Sequence, residues 1–242
     1  MTKISVIVPG AGAARRFGGK RNKIYQRIAG QPLFLRTLEL FSGRENVIQT
    51  QLVISSREMP ELKERFGANL GLMGVQIVRG GSTRTQSVRN ALANVSPEAD
   101  LICVHDAVRP CVATIWIDAV FEQAERSGAA ILAYPVHGTL KKVSAERHVE
   151  ETIPRVDVWQ AQTPQVFRRE ILLAAYESAG EDATDDAQLV EAAGHRVDAV
   201  MGDPRNIKIT TPTDLALAAA VIGSLPKPKP DHTANPFEDA QW

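Results

Sequence analysis

Short runs of apolar, β-prone residues alternate along this chain with segments of helical periodicity, and this alternation restricts the fold more than any other feature. Most of the strand candidates are continuously apolar, which is typical of strands covered by helices on both faces. They are residues 4–8, 51–55, 75–78, 101–105, 130–133 and 197–201. The pattern predicts an α/β fold with a doubly wound, mostly parallel sheet of Rossmann-like nucleotide-binding topology.

Helix candidates lie between these runs. They are residues 33–41, 58–66, 84–95, 114–127, 168–179, 185–193 and 212–223. The last candidate has Thr211 as a plausible N-cap and Pro212 at the first helical position. The 242 residues suffice for one large α/β domain with a substantial core, and we assign residues 1–223 to a single domain.

Residues 136–158 break the rhythm with a near alternation of polar and apolar residues around a polar turn, which predicts a β-hairpin arm within the domain. An isolated hairpin is marginal in water, so we expect this one to pack on something else, such as a second subunit. Residues 224–242 are rich in proline and charge, and we predict a disordered C-terminal tail there.

Composition excludes some classes of protein. Lys plus Arg and Asp plus Glu balance at 28 each, which argues against a nucleic-acid protein bound mainly through bulk positive charge. No apolar run approaches the ~18 residues of a membrane span, and the N-terminal apolar stretch is too short for a signal peptide core. Cys103 and Cys111 lack the spacing of a metal site. We therefore expect a cytoplasmic protein that binds neither nucleic acid nor membrane.

The first strand candidate ends in a turn of small residues followed by a densely basic stretch. The small residues are Gly10, Ala11, Gly12, Ala13 and Ala14, and the basic ones are Arg15, Arg16, Lys20, Arg21 and Lys23. Small residues let backbone N–H groups approach an anion closely, and this much positive charge suits a triphosphate better than a dinucleotide. A strict G-x-G-x-x-G pattern fails at its third glycine, so a tight connection with solvated charges is the alternative.

The fourth strand candidate ends in the sequence VHDAVRP, residues 104–110. Asp106 follows the carboxyl end of a central strand, where open α/β sheets bind ligands. Its carboxylate could coordinate Mg²⁺ bridged to phosphates, and Arg109 could hold a second phosphate. A capped turn in which the two side chains pair only with each other is the alternative.

Two further segments offer polar groups to a nucleotide. Residues 80–88, GGSTRTQSV, follow the third strand and open a helix, so backbone amides and the hydroxyls of Ser82 and Ser87 could recognise a base. Helix capping by Ser82 or Thr83 is the simpler alternative. Lys208, shortly before Thr211, could point at a phosphate, although a lone lysine is usually a solvated charge.

Together these segments resemble the 2-C-methyl-D-erythritol 4-phosphate cytidylyltransferases of the non-mevalonate isoprenoid pathway, from about residue 4 to residue 222. The first family motif, A-A-G-x-G-x-R-x(6)-K-x-Y, is matched from Gly10 to Arg16 and at Lys23 and Tyr25. The other four motifs, V-H-D-A-x-R-P, T-P-Q, T-D-[DE]-A and N-I-K-[IV]-T, lie in family order at residues 104–110, 163–165, 184–187 and 206–210.

The resemblance implies an enzyme that transfers CMP from CTP to 2-C-methyl-D-erythritol 4-phosphate, with Mg²⁺, and releases pyrophosphate. Arg16 and Lys23 would stabilise charge on the α-phosphate, and Asp106 would bind the metal. The implied nucleotide-binding residues are Gly10, Ala11, Gly12, Ala13, Gly81, Ser82, Ser87 and Asp106. The implied residues for the sugar-alcohol phosphate are Arg109, Thr139, Arg155, Thr163 and Lys208. The hairpin arm embraces a partner subunit in this family, which implies a homodimer in which Thr139 and Arg155 serve the neighbour's site.

Three positions depart from the family pattern. Gly10 replaces an alanine, Ala14 replaces a usual second glycine, and Asn22 replaces the proline that usually precedes the lysine. We expect Gly10 only to add backbone freedom and Ala14 to reduce the backbone freedom of the loop. We expect Asn22 to loosen the approach of Lys23. No charged group is removed, so affinity rather than activity should change. Whether Asp203 joins the site stays open.

Three other functions compete with this hypothesis. An enzyme of the same fold could use ribitol or ribulose 5-phosphate as the acceptor. Such an enzyme would differ only in its acceptor pocket. A dinucleotide-binding oxidoreductase would need an acidic residue about twenty positions after the glycine turn, and Glu39, the nearby candidate, falls inside a helical stretch. A non-catalytic regulator would bind CTP without releasing pyrophosphate.

Overall fold

The computed structural model describes residues 1–12, 22–178 and 183–227. The strands are β1 (Ile4–Pro9), β2 (Arg27–Ile28), β3 (Gln31–Pro32), β4 (Val47–Ile54), β5 (Val75–Arg79), β6 (Leu101–Val104), β7 (Ala129–Pro135), β8 (Leu140–Val143), β9 (Val149–Ile153), β10 (Trp159–Arg168) and β11 (Asp198–Met201). The helices are α1 (Leu33–Glu39), α2 (Met59–Leu72), α3 (Arg84–Leu92), α4 (Thr114–Ser127), α5 (Arg169–Ser178), α6 (Asp186–Ala192) and α7 (Pro212–Val221). Within the described residues, no helix is long and apolar enough to cross a bilayer.

Over the described ranges, seven strands form one sheet in the order β11-β7-β10-β6-β1-β4-β5. Strand β1 runs parallel to β4 and β6, β4 runs parallel to β5, and β7 runs parallel to β11. Strand β10 is antiparallel to both of its neighbours, β6 and β7. The predicted mostly parallel sheet is therefore confirmed, with one inserted antiparallel strand.

Strand β10 is absent from the strands predicted from the sequence. Its first three residues are exposed although they include Trp159, and the stretch from Gln162 to Phe167 is buried although it contains two glutamines and a threonine. Gln162 and Gln165 are each almost fully buried, because their amides bond to other parts of the chain. Alternation covers only residues 159–162 and stops at Thr163-Pro164, and no continuous apolar run follows, so hydrophobic periodicity gave only a weak strand signal.

The helix ends follow local chemistry. The Thr211 hydroxyl accepts from the amide of Asp214, and the Asp214 carboxylate accepts from the amide of Thr211, so the predicted cap is a full capping box. Helix α2 continues to Leu72, beyond the predicted end at residue 66, because Leu70 extends the buried stripe of Leu62 and Phe66 past Gly67.

Hydrophobic core lies on both faces of the sheet. Val6 and Val8 face the cluster that contains Phe34 and Phe41, whereas Ile7 faces the cluster that contains Phe167. Successive residues of a strand point to opposite faces, so a strand covered on both sides needs consecutive apolar residues. This burial explains the continuous apolar runs. Each fully buried large side chain contributes about 1.5–3 kcal/mol to the stability of the folded state.

The predicted hairpin is present as the antiparallel pair β8 and β9, outside the main sheet. Val143, Val149 and Ile153 on this pair are exposed. That the arm packs on a second subunit stays a prediction. Ser224, which the sequence placed in the tail, ends a short 3-10 helix, Ile222–Ser224. The rest of the predicted tail from residue 228 lies outside the described residues.

Candidate active site

A cleft of about 320 Å³ opens at the carboxyl ends of β1, β5 and β6. These strands run parallel, so the loops that follow them meet at one edge of the sheet. The described lining residues are Pro9, Gly10, Ala11, Gly12, Asn22, Lys23, Ile24, Gly81, Ser82, Thr83, Arg84, Ser87, Asp106, Val108 and Lys208. Residues from four of the sequence segments thus share one cavity. Ala13, Ala14 and Arg16 lie outside the described residues.

The turn after β1 is held against the turn after β5. The amide of Gly10 donates to the carbonyl of Val53 at 2.8 Å, and the amide of Gly80 donates to the carbonyl of Ile54 at 2.8 Å. A Cβ at Gly80 would lie 2.6 Å from the Cβ of Ala11. A Cβ at Gly10 would lie 3.2 Å from Ile54 Cδ1 and 3.3 Å from the carbonyl oxygen of Val53, so glycine here avoids a tight contact.

The turn after β5 forms the N-terminus of α3. Thr83 is the helix cap, since its hydroxyl accepts from the amide of Gln86 at 3.1 Å. The amide of Gly81 donates to Ser87 Oγ at 3.1 Å, and that hydroxyl donates to the carbonyl of Thr83 at 2.8 Å. Ser82 is exposed and lines the cleft. The capping alternative is thus correct for Thr83, and Ser82 remains available to a ligand.

Asp106 lies at the centre of a cluster of cations. Its Oδ2 is 2.9 Å from Lys208 Nζ and 3.2 Å from Arg109 Nε, and its Oδ1 is 3.5 Å from Arg84 Nε. Burial by itself would raise the pKa of this carboxyl group. The positive charges outweigh that effect, led by Lys208, and hold the pKa of Asp106 well below its usual range. Asp106 is therefore an anion surrounded by positive charge at any physiological pH.

Arg84 is a cleft residue that the sequence analysis missed. Its guanidinium bridges two carboxylates, because it reaches Asp106 and also donates to Asp186 Oδ2 at 2.7 Å. Asp186 is fully buried and accepts from the hydroxyl of Tyr176 at 2.5 Å. A basic residue in the first turn of a helix opposes the helix dipole, and this signal could have indicated a carboxylate partner.

Thr163 and His105 hold Asp106 from behind the cleft. The amide of Asp106 donates to Thr163 Oγ1 at 3.1 Å, and Thr163 Oγ1 lies 3.1 Å from His105 Nδ1. His105 Nε2 lies 3.0 Å from the carbonyl of Arg109. Complete burial lowers the pKa of His105 to about 4, so the ring is neutral and fits this network with its proton on Nε2. Among the described residues, Thr163 is not part of the cleft lining, so its hydroxyl supports the site indirectly.

The remaining motifs connect to the same network. Arg109 Nη1 donates to the carbonyl of Asn206 at 2.8 Å, and Asn206 Nδ2 donates to the carbonyl of Thr163 at 2.9 Å. Gln165 Oε1 accepts from the amides of Asp186 and Ala187, each at 3.0 Å. The third, fourth and fifth motifs therefore position one another as well as the cleft.

Three of the residues considered from the sequence lie away from the cleft. Asp203 forms a two-oxygen pair with Arg205, at 2.9 Å and 2.7 Å, and so turns its carboxylate to its own neighbour. Thr139 and Arg155 are exposed at the base of the hairpin, and Arg155 hydrogen-bonds to the carbonyl of His137. A single chain does not bring Thr139 and Arg155 to Asp106, so their part in a neighbour's site stays a prediction.

Asp106 is also the candidate metal ligand. In the part of the chain that the structure describes, no group of three or more His, Cys, Asp or Glu side chains could hold a metal ion by itself. Mg²⁺ commonly uses one or two carboxylates together with substrate phosphates, so one carboxylate is compatible with this ion. Oδ1 of Asp106, whose contact with Arg84 is long at 3.5 Å, is the oxygen better placed to accept it.

Comparison with known proteins gives a consistent family. The model of the family "IspD: 2-C-methyl-D-erythritol 4-phosphate cytidylyltransferase" matches residues 4–224. The chain is 39% identical over 232 residues to the 2-C-methyl-D-erythritol 4-phosphate cytidylyltransferase of Rhodopirellula baltica, covering 90% of this chain and 94% of the relative. It is 41% identical over 222 residues to the enzyme of that name from Azoarcus sp., covering 90% and 93%.

Solved structures agree with the sequence relatives. The structure of 2-C-methyl-D-erythritol 4-phosphate cytidylyltransferase from Thermus thermophilus superposes with a TM-score of 0.76 at 32% identity, covering 92% of this chain and 100% of the other. The 4-diphosphocytidyl-2C-methyl-D-erythritol synthase of Anaerococcus prevotii superposes with a TM-score of 0.77 at 28% identity, covering 92% and 99%.

Proposed function

The chain belongs to the 2-C-methyl-D-erythritol 4-phosphate cytidylyltransferase family, and on this premise we propose how its cleft performs the reaction. The enzyme is a CTP-dependent nucleotidyltransferase that transfers CMP from CTP to 2-C-methyl-D-erythritol 4-phosphate and releases pyrophosphate. One observation supports the assignment of residues most strongly. A small-residue turn, a helix N-terminus and Asp106 with two of its three cations, Arg84 and Lys208, line the same cleft, and Arg109 contacts Asp106 from the buried side.

CTP binds with its triphosphate along the turn after β1 and its base at the start of α3. Gly10, Ala11, Gly12 and Ala13 offer close backbone approach to the phosphates. Gly81, Ser82 and Ser87 recognise the cytosine. Support for this orientation comes from the lining of the cleft, where both turns face one cavity and Ser82 is exposed to it.

The reaction is an in-line substitution at the α-phosphorus. A phosphate oxygen of the acceptor forms the new P–O bond, the bond between the α-phosphorus and the bridging oxygen breaks, and pyrophosphate leaves with that electron pair. A phosphate monoester is largely dianionic near neutral pH, since its second pKa is about 6, so no general base is needed. His105 is buried and its pKa is lowered to about 4, which agrees with a structural rather than an acid–base role.

Catalysis then depends on positioning and on positive charge. Arg16 and Lys23 stabilise the charge that develops on the α-phosphate, and Lys23 lines the cleft. Asp106 would hold Mg²⁺, which when bound would neutralise charge on the triphosphate and the departing pyrophosphate. Arg109 and Lys208, which pair with Asp106 in this structure, exchange part of that contact for the phosphate of the acceptor.

The acceptor site is completed by a second copy of the chain. Thr139 and Arg155 lie on the exposed hairpin, and we propose that each arm brings them to the neighbour's cleft in a homodimer. Thr163 acts from behind by holding Asp106. We place this enzyme in the cytoplasm, where its substrate CTP is available.

Pyrophosphate release tests the proposed function. CTP and Mg²⁺ are supplied with 2-C-methyl-D-erythritol 4-phosphate or with ribitol 5-phosphate as parallel acceptors. Release with the methylerythritol substrate alone is expected, release with ribitol phosphate alone would assign the acceptor to the other class, and release with neither would contradict catalysis. Lys208→Ala should lose more than tenfold in kcat/KM for the acceptor, because one well-placed charge contributes at least that much. Lys63→Ala, an exposed lysine on α2, is the matched control and should behave as wild type.

A further inference from the structure

Asn22 connects two parts of the cleft that are separated along the chain. Gly10 precedes residues 13–21, and Lys23 follows Asn22 directly. Asn22 is buried, with only 9% of its surface exposed. Its Nδ2 donates to the carbonyl of Gly10 at 3.0 Å and to Glu58 Oε2 at 3.1 Å. Asn22 therefore ties Gly10, at the start of the small-residue turn, to Lys23, which lines the same cleft.

Glu58 anchors this connection to the rigid sheet. The same Oε2 that accepts from Asn22 accepts from Ser55 Oγ at 2.6 Å. Ser55 follows β4, whose end also accepts the amide of Gly10 through the carbonyl of Val53. Asn22 is therefore fixed to the strand next to β1, so both of its contacts lead back to one edge of the sheet.

The Asn22 side chain also sets the backbone at Lys23. Its Oδ1 accepts from the amide of Ile24 at 3.3 Å and so caps the 3-10 helix Lys23–Tyr25. Ile24 is 1% exposed, which fixes the other side of this turn in the core. Lys23 lies between the cap and the buried isoleucine, so its backbone has little freedom. The side chain thus tethers the segment, and the expectation that asparagine loosens the approach of Lys23 relative to proline stays a prediction.

We propose that Asn22 is the positioning residue for Lys23, and that its link to Gly10 and Glu58 sets the distance between Lys23 and the bound triphosphate. This inference rests on the proposed function, in which Lys23 stabilises charge on the α-phosphate. Contacts realised mainly in the transition state affect kcat more than KM. Misplacement of about 1 Å can cost a reaction up to about a hundredfold, so the loss of Asn22 should appear as slower turnover rather than weaker binding.

The test measures kcat and KM for CTP in Asn22→Ala, in Lys23→Ala and in the double variant. We expect kcat of Asn22→Ala to fall by roughly ten- to a hundredfold while KM for CTP stays within about twofold. In the Lys23→Ala background, Asn22→Ala should cause little further loss, because residues that act as a unit are non-additive. An equal further loss, or an unchanged kcat in Asn22→Ala, would overturn the proposal.

Ser5→Ala is a structural control at the far end of β1. It removes a hydrogen bond of 2.7 Å between the buried Ser5 hydroxyl and Gln49, near the opposite end of β1 from the cleft. Ser5→Ala, which removes one hydrogen bond, should lower Tm by about 2–4 °C, and Asn22→Ala, which removes three, should lower it by about 6–12 °C. Only Asn22→Ala should lower kcat. An equal loss of kcat in Ser5→Ala would show that reduced stability alone explains the effect.

Glu58 provides a second route to the same answer if Asn22→Ala does not fold. Glu58→Ala removes the anchor and should lower kcat, whereas Glu58→Gln retains an acceptor oxygen and should restore most of it. Equal rates in the two Glu58 variants would contradict the anchor. Wild-type turnover of Lys23→Ala would refute the catalytic role of Lys23 itself. A slow Lys23→Ala with an undisturbed Asn22→Ala would refute only the role of Asn22.

Discussion

Replacement of Thr163 by valine isolates the hydrogen bonds that hold Asp106 from behind. Valine has nearly the shape of threonine, so the variant removes the hydroxyl without opening a cavity. The hydroxyl accepts from the Asp106 amide at 3.1 Å and lies 3.1 Å from His105 Nδ1. Both of these partners are buried, so both lose their hydrogen bond in the dry interior.

The size of the effect follows from those two groups. A buried polar group left unpaired costs about 1–3 kcal/mol, so with two such groups Thr163→Val should lower the free energy of unfolding by about 2–6 kcal/mol. Thr163→Ser keeps the hydroxyl and removes one methyl group, which costs about 1 kcal/mol. The serine variant should therefore be clearly more stable than the valine variant, although serine is the smaller residue.

Urea unfolding followed by far-UV circular dichroism measures this difference. The comparison requires that the slope m stay unchanged, so that a shift in the midpoint reports stability alone. Equal stability of the valine and serine variants, or a more stable valine variant, would refute the proposed network between Thr163, His105 and Asp106.

Three further predictions concern the cleft. In Gly81→Ala the added Cβ would lie 2.1 Å from Gln86 Cγ and 2.6 Å from Gln86 Cβ, so the turn must shift, and calorimetry should show CTP bound roughly tenfold more weakly. The pKa of His105 is lowered from 6.5 to about 4, so as pH falls the histidine is protonated in the unfolded chain before it is protonated in the folded one. The free energy of unfolding should therefore drop by about 1–2 kcal/mol between about pH 7 and pH 5. Arg84→Met leaves the buried carboxylate of Asp186 without its cation, which should cost about 3–5 kcal/mol, and part of this loss should return in Arg84→Met/Asp186→Asn.

Each of these predictions has its own contrary result. Gly67→Ala on α2 is the control for added volume, because its new Cβ would meet nothing within 4 Å, and CTP affinity should be unaffected. Equal affinities in the Gly67 and Gly81 variants would contradict the steric argument. A flat stability profile above about pH 5 would contradict a neutral, buried His105. A double variant of Arg84 and Asp186 no more stable than Arg84→Met would contradict the ion pair.

The sheet and the location of the cleft could be predicted because their signals are local. Strands β1 and β6 are short, mostly apolar runs and β5 contains three apolar residues in five. Each is followed within two residues by a polar or small residue that lines the cleft. Burial on both faces of a sheet leaves that pattern in any sequence. Asp106 could be singled out for the same reason, since its place after a central strand is visible without knowledge of its partners.

The contacts that fix the site could not be predicted, because their partners are distant in sequence. Arg84 reaches Asp186 across 102 positions, and Arg109 reaches Asn206 across 97. Strand β10 was not predicted because its buried glutamines have hydrogen-bond partners only in the folded chain and leave no apolar pattern in the sequence. The two contacts of Asn22 to Gly10 and Glu58 likewise depend on the folded chain, so the tether could not be predicted.

The most direct test of the central claim is a crystal structure of the enzyme with CTP and Mg²⁺. The claim is that one cleft, at the carboxyl ends of β1, β5 and β6, binds and activates the nucleotide. Triphosphate density is expected along Gly10 to Gly12, cytosine density against Gly81 and Ser82, and a metal ion at Asp106. Nucleotide density outside this cleft, or a triphosphate out of reach of Lys23, would contradict it.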